Sequence, residues 1–259
     1  MARVRKGQKP PVPQAKRILI VTEDSEATPN YFTELVYNVG LSPRRVVIDG
    51  SSGSAPSSVV DRLIRTWEAQ ARGLRRGEIP FECAYAVVDR DDHDTFAAAK
   101  ERVRQKNDAL CQRLQEYADE LEIEAITRTG IRQQKLKDER DRVLARFRKP
   151  LLVFSESYPC FEYWLLLHFR YTRAAIVARG NKSSGEVAES MVDDAFRQAG
   201  LGGYAKSNKN IWTLTRDRAR NPATPNAERS REAARQTGRP NPSTSIDEIV
   251  SAVQMLKST

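Results

Sequence analysis

Three short runs of uninterrupted apolar, largely β-branched residues stand out along the chain: Ile18 to Val21, Ala84 to Val88, and Leu151 to Phe154. Runs of this length with no polar alternation predict strands buried on both faces, as in a parallel sheet. "RRVVIDG" predicts a further short strand, and "EIEAIT", which alternates acid and apolar residues, predicts another. Between them the period changes. Phe32, Leu35, Val36 and Val39 recur at helical spacing, with Thr28 as the expected N-cap, Pro29 in the first turn and Gly40 as the stop. Further helices are predicted from about Ser57 to Arg72 and Asp94 to Leu121, from Val187 to Gln198, and from about Ser245 onward. "PCFEYWLLLHF" opens another helix, with Pro159 near its first turn. Strands that alternate with helices predict an α/β fold, a mostly parallel sheet flanked by helices, with a helical C-terminal extension.

The 259 residues divide on this reading into a basic, Pro-rich arm over 1–15, an α/β domain over 16–170, and a helical region over 171–259 that packs on it. The arm has no apolar core of the kind a secretory signal needs, so it is read as disordered. No apolar run approaches the roughly 20 residues of a membrane span. Three scattered cysteines, Cys83, Cys111 and Cys160, suit neither a disulfide framework nor a zinc site, so a reducing cytoplasm is expected.

Charge changes the picture. The net charge is +9 with a pI near 9.6, which points to a polyanionic partner. It is unevenly spread. Residues 128–149, inserted between two predicted strands, hold nine Lys or Arg against three Asp or Glu. They read either as a track for a phosphate backbone or as a solvated face. Opposed to this is "DRDDHD", which sets Asp89, Asp91, Asp92 and Asp94 in six residues directly after an apolar strand. Glu23 and Asp24 follow the first strand in the same way. In a doubly wound sheet functional groups gather at the carboxyl ends of the strands, and the first and third strands commonly lie side by side. Glu23, Asp89 and Asp91 would then face one hard cation, Mg²⁺ or Mn²⁺, which offsets their repulsion. Asp94, ahead of "TFAAAKERV", is expected to cap a helix instead. Glu162 reads as a further metal ligand or as an acid in a helix's first turn. His93 could contact phosphate, shuttle a proton, or simply shape its loop. Lys206 and Lys209 could hold a phosphate, and Asn241 to Thr244 are expected to cap the last helix.

The Glu after the first strand and the D-x-D after a later one resemble the Toprim domain of primases, topoisomerases and OLD-type nucleases. Three stretches, "ILIVTEDSEATPNYF", "VVDRDDH" and "SYPCFEYWLLLHF", resemble more closely the RloB-like family of bacterial defence proteins, as do "NPSTSIDEIV" and the Tyr-x-Lys of "GGYAK". The chain departs from that pattern at Asp24, where a glycine is usual, at Ala27–Thr28, and at Tyr158. The resemblance implies a Toprim-like domain that cleaves phosphodiesters with Mg²⁺, or with Mn²⁺. Asp89 and Asp91 would bind the metal, and Glu23 would serve as general acid or base or as a second ligand. It also implies phage defence by abortive infection beside an ABC-type ATPase, with RNA, transfer RNA included, favoured over DNA. Lys135, Lys137 and Arg140 of the basic insertion would join Lys206 and Lys209 on the nucleic acid. A non-catalytic, basic nucleic-acid-binding or regulatory subunit of a defence complex is the alternative. A receiver-like phosphoacceptor lacks its lysine after the last strand, and a Cys160–His168 nucleophilic pair lacks any local group to activate the thiol.

Overall fold

The computed structural model describes residues 16–51, 53, 55–71, 80–90, 93–146, 150–216 and 223–257. The N-terminal arm, Asp91 and Asp92 lie outside them. A five-stranded sheet runs in the order β2 (Val46–Asp49), β1 (Arg17–Thr22), β3 (Phe81–Asp89), β4 (Leu152–Tyr158) and β5 (Ser243–Thr244). All neighbours are parallel except β5, which pairs antiparallel with the end of β4.

The uninterrupted apolar runs have the cause that the sequence suggests: both faces of the sheet are covered. On β1, Ile18 and Ile20 face one helical layer and Leu19 and Val21 the other. On β3, Tyr85 and Val87 share the first face, and Ala84, Ala86 and Val88 the second. Against the second face pack α2 (Pro56–Ala71) and the first turns of α3 (Phe96–Ile126). The first face is covered by α1 (Ala27–Val39) and α5 (Glu162–Leu167), and by α6 (Ser184–Gln198), α7 (Ile211–Arg216), α8 (Ala223–Thr237) and α9 (Ile246–Lys257). The C-terminal region thus shares one core with the sheet and supplies its fifth strand. Among the described residues no helix is long and apolar enough to cross a membrane.

Three local expectations are corrected. "EIEAIT" is not a strand. It is the last part of α3, which runs on to Ile126. Ala118, Leu121 and Ala125 form a buried seam at helical spacing against α4 (Gly130–Arg146). The isoleucines whose alternation suggested a strand are solvent-facing instead: Ile123 is 67% exposed, Ile126 76%, and Ile131 across the turn 78%. Gly130, at φ 64°, makes that turn. Second, α1 begins at Ala27, one residue before the expected cap. Its N-cap position is Glu26, whose side chain makes no cap bond; Oδ2 of Asp24, two residues upstream, accepts the N–H groups of Glu26 (3.2 Å) and Thr28 (2.9 Å) instead, while Thr28 itself is buried. Third, Asp94 does not cap α3. His93 Nδ1 takes the Thr95 N–H at 3.3 Å, and Asp94 stays exposed.

Gly130–Arg146 of the basic insertion form α4, and part of its charge is answered within the hairpin it forms with α3. Arg140 pairs with Glu122 at 3.6 Å, Arg132 with Glu124 at 3.3 Å, and Tyr117 Oη donates to Glu139 at 2.7 Å. The hairpin also points away from the acidic loops. Asn107 of α3 accepts the N–H groups of Leu151 (3.2 Å) and Leu152 (2.9 Å), so α3 has reached the amino end of β4 there. The 19 residues from Asn107 to Ile126 carry the hairpin roughly 28 Å beyond that level. The carboxyl ends of the strands are at the opposite side.

Candidate metal centre

From β1 the chain crosses to β2 on one side and then returns past β1 to β3 on the other. The connections therefore diverge between β1 and β3, which opens a crevice above their carboxyl ends. Glu23 and Asp89 stand there, one on each lip. The N–H of Glu23 continues the ladder to Val87 O at 3.1 Å, and its Oε2 accepts the Asp89 N–H at 3.0 Å. Asp89 ends β3 in register with Ser157 of β4. Its Oδ1 accepts the N–H of Phe161, just before α5, at 3.0 Å.

Glu162, the first residue of α5, is the third carboxylate and is 3% exposed. Its Oε1 accepts the Tyr204 hydroxyl at 3.1 Å, and the Lys206 ammonium lies 3.4 Å from the same oxygen. Lys206 also reaches Glu189 Oε2 at 3.3 Å. The loop that carries both residues is tied down where Asp193 Oδ1 accepts the Tyr204 N–H at 2.8 Å. A Cβ at Gly203 would come within 3.1 Å of that same Asp193 oxygen and of Arg197 Nη2, so a larger residue there would press on the tie.

The neighbouring carboxylates bear on Asp89. Burial, and then the charges of Glu162, Glu23 and Asp24, hold the Asp89 carboxyl well above its ordinary range, with the Phe161 N–H opposing. Burial and the neighbouring Glu162 likewise push the Tyr204 hydroxyl up. A hard divalent cation suits this donor set: it would be held by carboxylate oxygens, and its charge would relieve the repulsion at Asp89. Among the described residues no three acid, imidazole or thiol groups close into a finished ligand cluster, and Asp91, the second acid of the D-x-D, lies outside them.

The other candidates divide. Glu23, Asp89, Glu162 and Lys206 come together. Lys209 is exposed on the loop beyond Lys206. His93 turns inward on its own loop, with Nδ1 3.0 Å from Thr95 Oγ1. Lys135 and Lys137 are exposed on α4 and Arg140 is paired there, at the far side from the carboxylates. Two participants, Tyr204 and Glu189, were not placed at the site from sequence. The tight Gly202-Gly203 turn and the Tyr-x-Lys that follows it are signals that could have marked Tyr204. Cys160 sits beside the acids, but burial and then the Glu162 and Asp89 charges push its thiol up, so it is no nucleophile.

His168 packs its ring edge-on to Trp164 at 4.9 Å in the core under α5. Burial pushes its imidazole from 6.5 down to about 3, with a Thr215 backbone group opposing. The unfolded chain therefore takes up this proton well before the folded one does. Stability is complete above the ordinary imidazole value and is lost as pH falls from 6.5 toward 3, by about 3 kcal/mol at pH 4. His168→Phe keeps the ring and removes the proton. The loss of unfolding free energy between pH 7 and pH 4, read from urea melts, should shrink by that amount in the variant, and equal losses in both proteins would show that His168 is not the acid-sensitive group.

A family model described as RloB-like protein matches residues 18–253 of the chain. No curated protein and no solved structure matches it.

Proposed function

The chain belongs to the RloB-like protein family, and we propose that it is a Mg²⁺-dependent, Toprim-type nuclease that cleaves RNA phosphodiesters, with transfer RNA a candidate substrate. The setting we propose is phage defence by abortive infection in the cytoplasm, beside an ABC-type ATPase partner. The observation that carries the reading is the set of three carboxylates, Glu23, Asp89 and Glu162, at the one crevice that the strand order opens. A bound Mg²⁺, or Mn²⁺, would polarise the phosphodiester and stabilise the charge that develops on it. Asp89 would hold the cation, with Asp91, Glu162 or Glu23 completing the oxygen set. Glu23 would also serve as general acid or base, its Oε2 oriented at the crevice by the Asp89 N–H. Lys206 and Lys209 would bind the phosphate backbone beside it.

The test incubates wild type and Asp89→Asn/Asp91→Asn with total cellular RNA and with plasmid, in Mg²⁺, in Mn²⁺ and in EDTA. Discrete fragments that need both metal and the two aspartates are expected, from RNA rather than plasmid. Fragments that persist in the double variant would sink the assignment. A second reading, a non-catalytic binding or regulatory subunit, is favoured by one observation: the Lys206 ammonium already balances Glu162. On that reading Mg²⁺ leaves the melting temperature of wild type unchanged.

A further inference from the structure

The contacts of Lys206 are unusual for a phosphate-binding lysine. Its ammonium lies 3.4 Å from Glu162 Oε1 and 3.3 Å from Glu189 Oε2, so it is turned onto protein acids. The two ends of the pair differ in setting. The Glu162 side chain is 4% exposed, whereas that of Lys206 is 44% exposed. Glu162 is held from beneath by Tyr204 and by its place at the start of α5. The lysine hangs on a flexible four-carbon stem over a loop fixed at Tyr204 N and, through the Asn30 side chain, at its own carbonyl (3.4 Å). One partner is rigid and buried, and the other can swing.

Charge explains why a cation sits there. Glu23, Asp24, Asp89 and Glu162 set four carboxylates around the carboxyl ends of β1 and β3, where Asp89 is joined to Glu23 through its own N–H and to the start of α5 through the Phe161 N–H. We propose that Lys206 is a tethered counter-ion, which holds the Glu162 carboxylate while the centre is without metal and swings to the substrate phosphate once a divalent cation has taken its place. Glu189, outside the carboxylate cluster, is the way-station: it keeps the ammonium within reach of the crevice when it leaves Glu162. The same charge thus does two jobs that exclude one another. It stabilises the empty centre and competes with metal there, and it binds phosphate only when the centre is filled. Metal binding and substrate binding are thereby coupled, because each favours the lysine position that the other needs.

The inference rests on the metal-centre reading above, and the test separates the two. Mn²⁺ binding would be followed by electron paramagnetic resonance, and binding of a phosphorothioate RNA oligonucleotide in Ca²⁺ by fluorescence anisotropy. Each would be measured on wild type, Lys206→Met and Lys206→Arg. In Lys206→Met the competitor is gone, so the Kd for Mn²⁺ should fall about tenfold, the change that about 1.4 kcal/mol gives. The Kd for the oligonucleotide should rise by a similar factor. Lys206→Arg keeps the charge and should return both constants toward wild type. A lysine that merely packs moves neither constant, and one that acts only as a distant charge moves the first and not the second. Either result overturns the proposal while the metal centre stands. If wild type shows no saturable Mn²⁺ binding, the metal-centre reading itself falls and takes the proposal with it.

Discussion

Asp89→Asn should raise the melting temperature of the metal-free protein by several degrees and at the same time abolish its stabilisation by Mg²⁺. The two halves have one cause. The Asp89 carboxyl is held well above its ordinary range by burial and by Glu162, Glu23 and Asp24, so its folded state binds a proton more tightly than its unfolded state does. Such a group supports stability at low pH and withdraws it as pH rises through the folded value. At neutral pH the ionised form is therefore a cost to the metal-free fold. Asparagine removes the charge and keeps an oxygen for the Phe161 N–H. It removes the anionic ligand too, so cleavage should fall by a factor of about 1,000 or more, in line with the several kcal/mol that a metal's charge stabilisation supplies. Thermal melts with and without Mg²⁺, at pH 5 and pH 8, check both halves. A variant less stable than wild type in EDTA, or one that still responds to Mg²⁺, would remove Asp89 from the centre.

The second large effect lies away from the carboxylates. Asp247, in the first turn of α9, is 3% exposed. It meets the Arg231 guanidinium of α8 on both arms, Nη2 donating to Oδ2 at 2.9 Å and Nη1 to Oδ1. Nη1 also donates to the Thr244 carbonyl of β5 at 2.6 Å. Removing one side of such a pair leaves a buried charge alone and costs roughly 3–5 kcal/mol. At about 2–4 °C per kcal/mol for a chain of this size, Arg231→Ala should melt roughly 10 °C below wild type. The cost arises from the orphaned carboxylate rather than from lost attraction, so Arg231→Met/Asp247→Leu should recover most of it. A single variant within about 2 °C of wild type, or a double variant no better than the single, would contradict that account.

How much of this could be read from the sequence depended on how local each cause is. The parallel strands were legible because burial on both faces leaves no polar position, so Ile18 to Val21 and Ala84 to Val88 declare themselves. Glu23 and Asp89 were legible because strand ends bring their acids to a fixed edge. The end of α3 was not: its seam, Ala118, Leu121 and Ala125, is weakly apolar, and the louder residues Ile123 and Ile126 face solvent. Asp24 carried a charge that looked like metal chemistry, yet it spends its Oδ2 on the first turn of α1. Glu189 was invisible because only the packing of α6 against α5 brings it to Lys206, and the place of Tyr204 at Glu162 depends on a loop that Asp193 of α6 holds in position. β5 has two residues and no pattern to read.

That small strand sets the order in which the molecule can come into being. Ser157 Oγ meets Thr244 Oγ1 at 2.7 Å across a sequence separation of 87 residues, and Ser155 meets Ser245 across 90. Ser157 is also the register partner of Asp89. A chain growing from its amino end acquires Glu23 and Asp89 early, and Glu162 later. It gains Tyr204 and Lys206 only some 40 residues after Glu162, and the β5–α9 clasp later still. Contacts this distant close slowly and late. A nascent chain that has not yet reached Tyr204 and Lys206 holds the acids without the residues that orient and neutralise them, so the centre comes together only once Lys206 has been made.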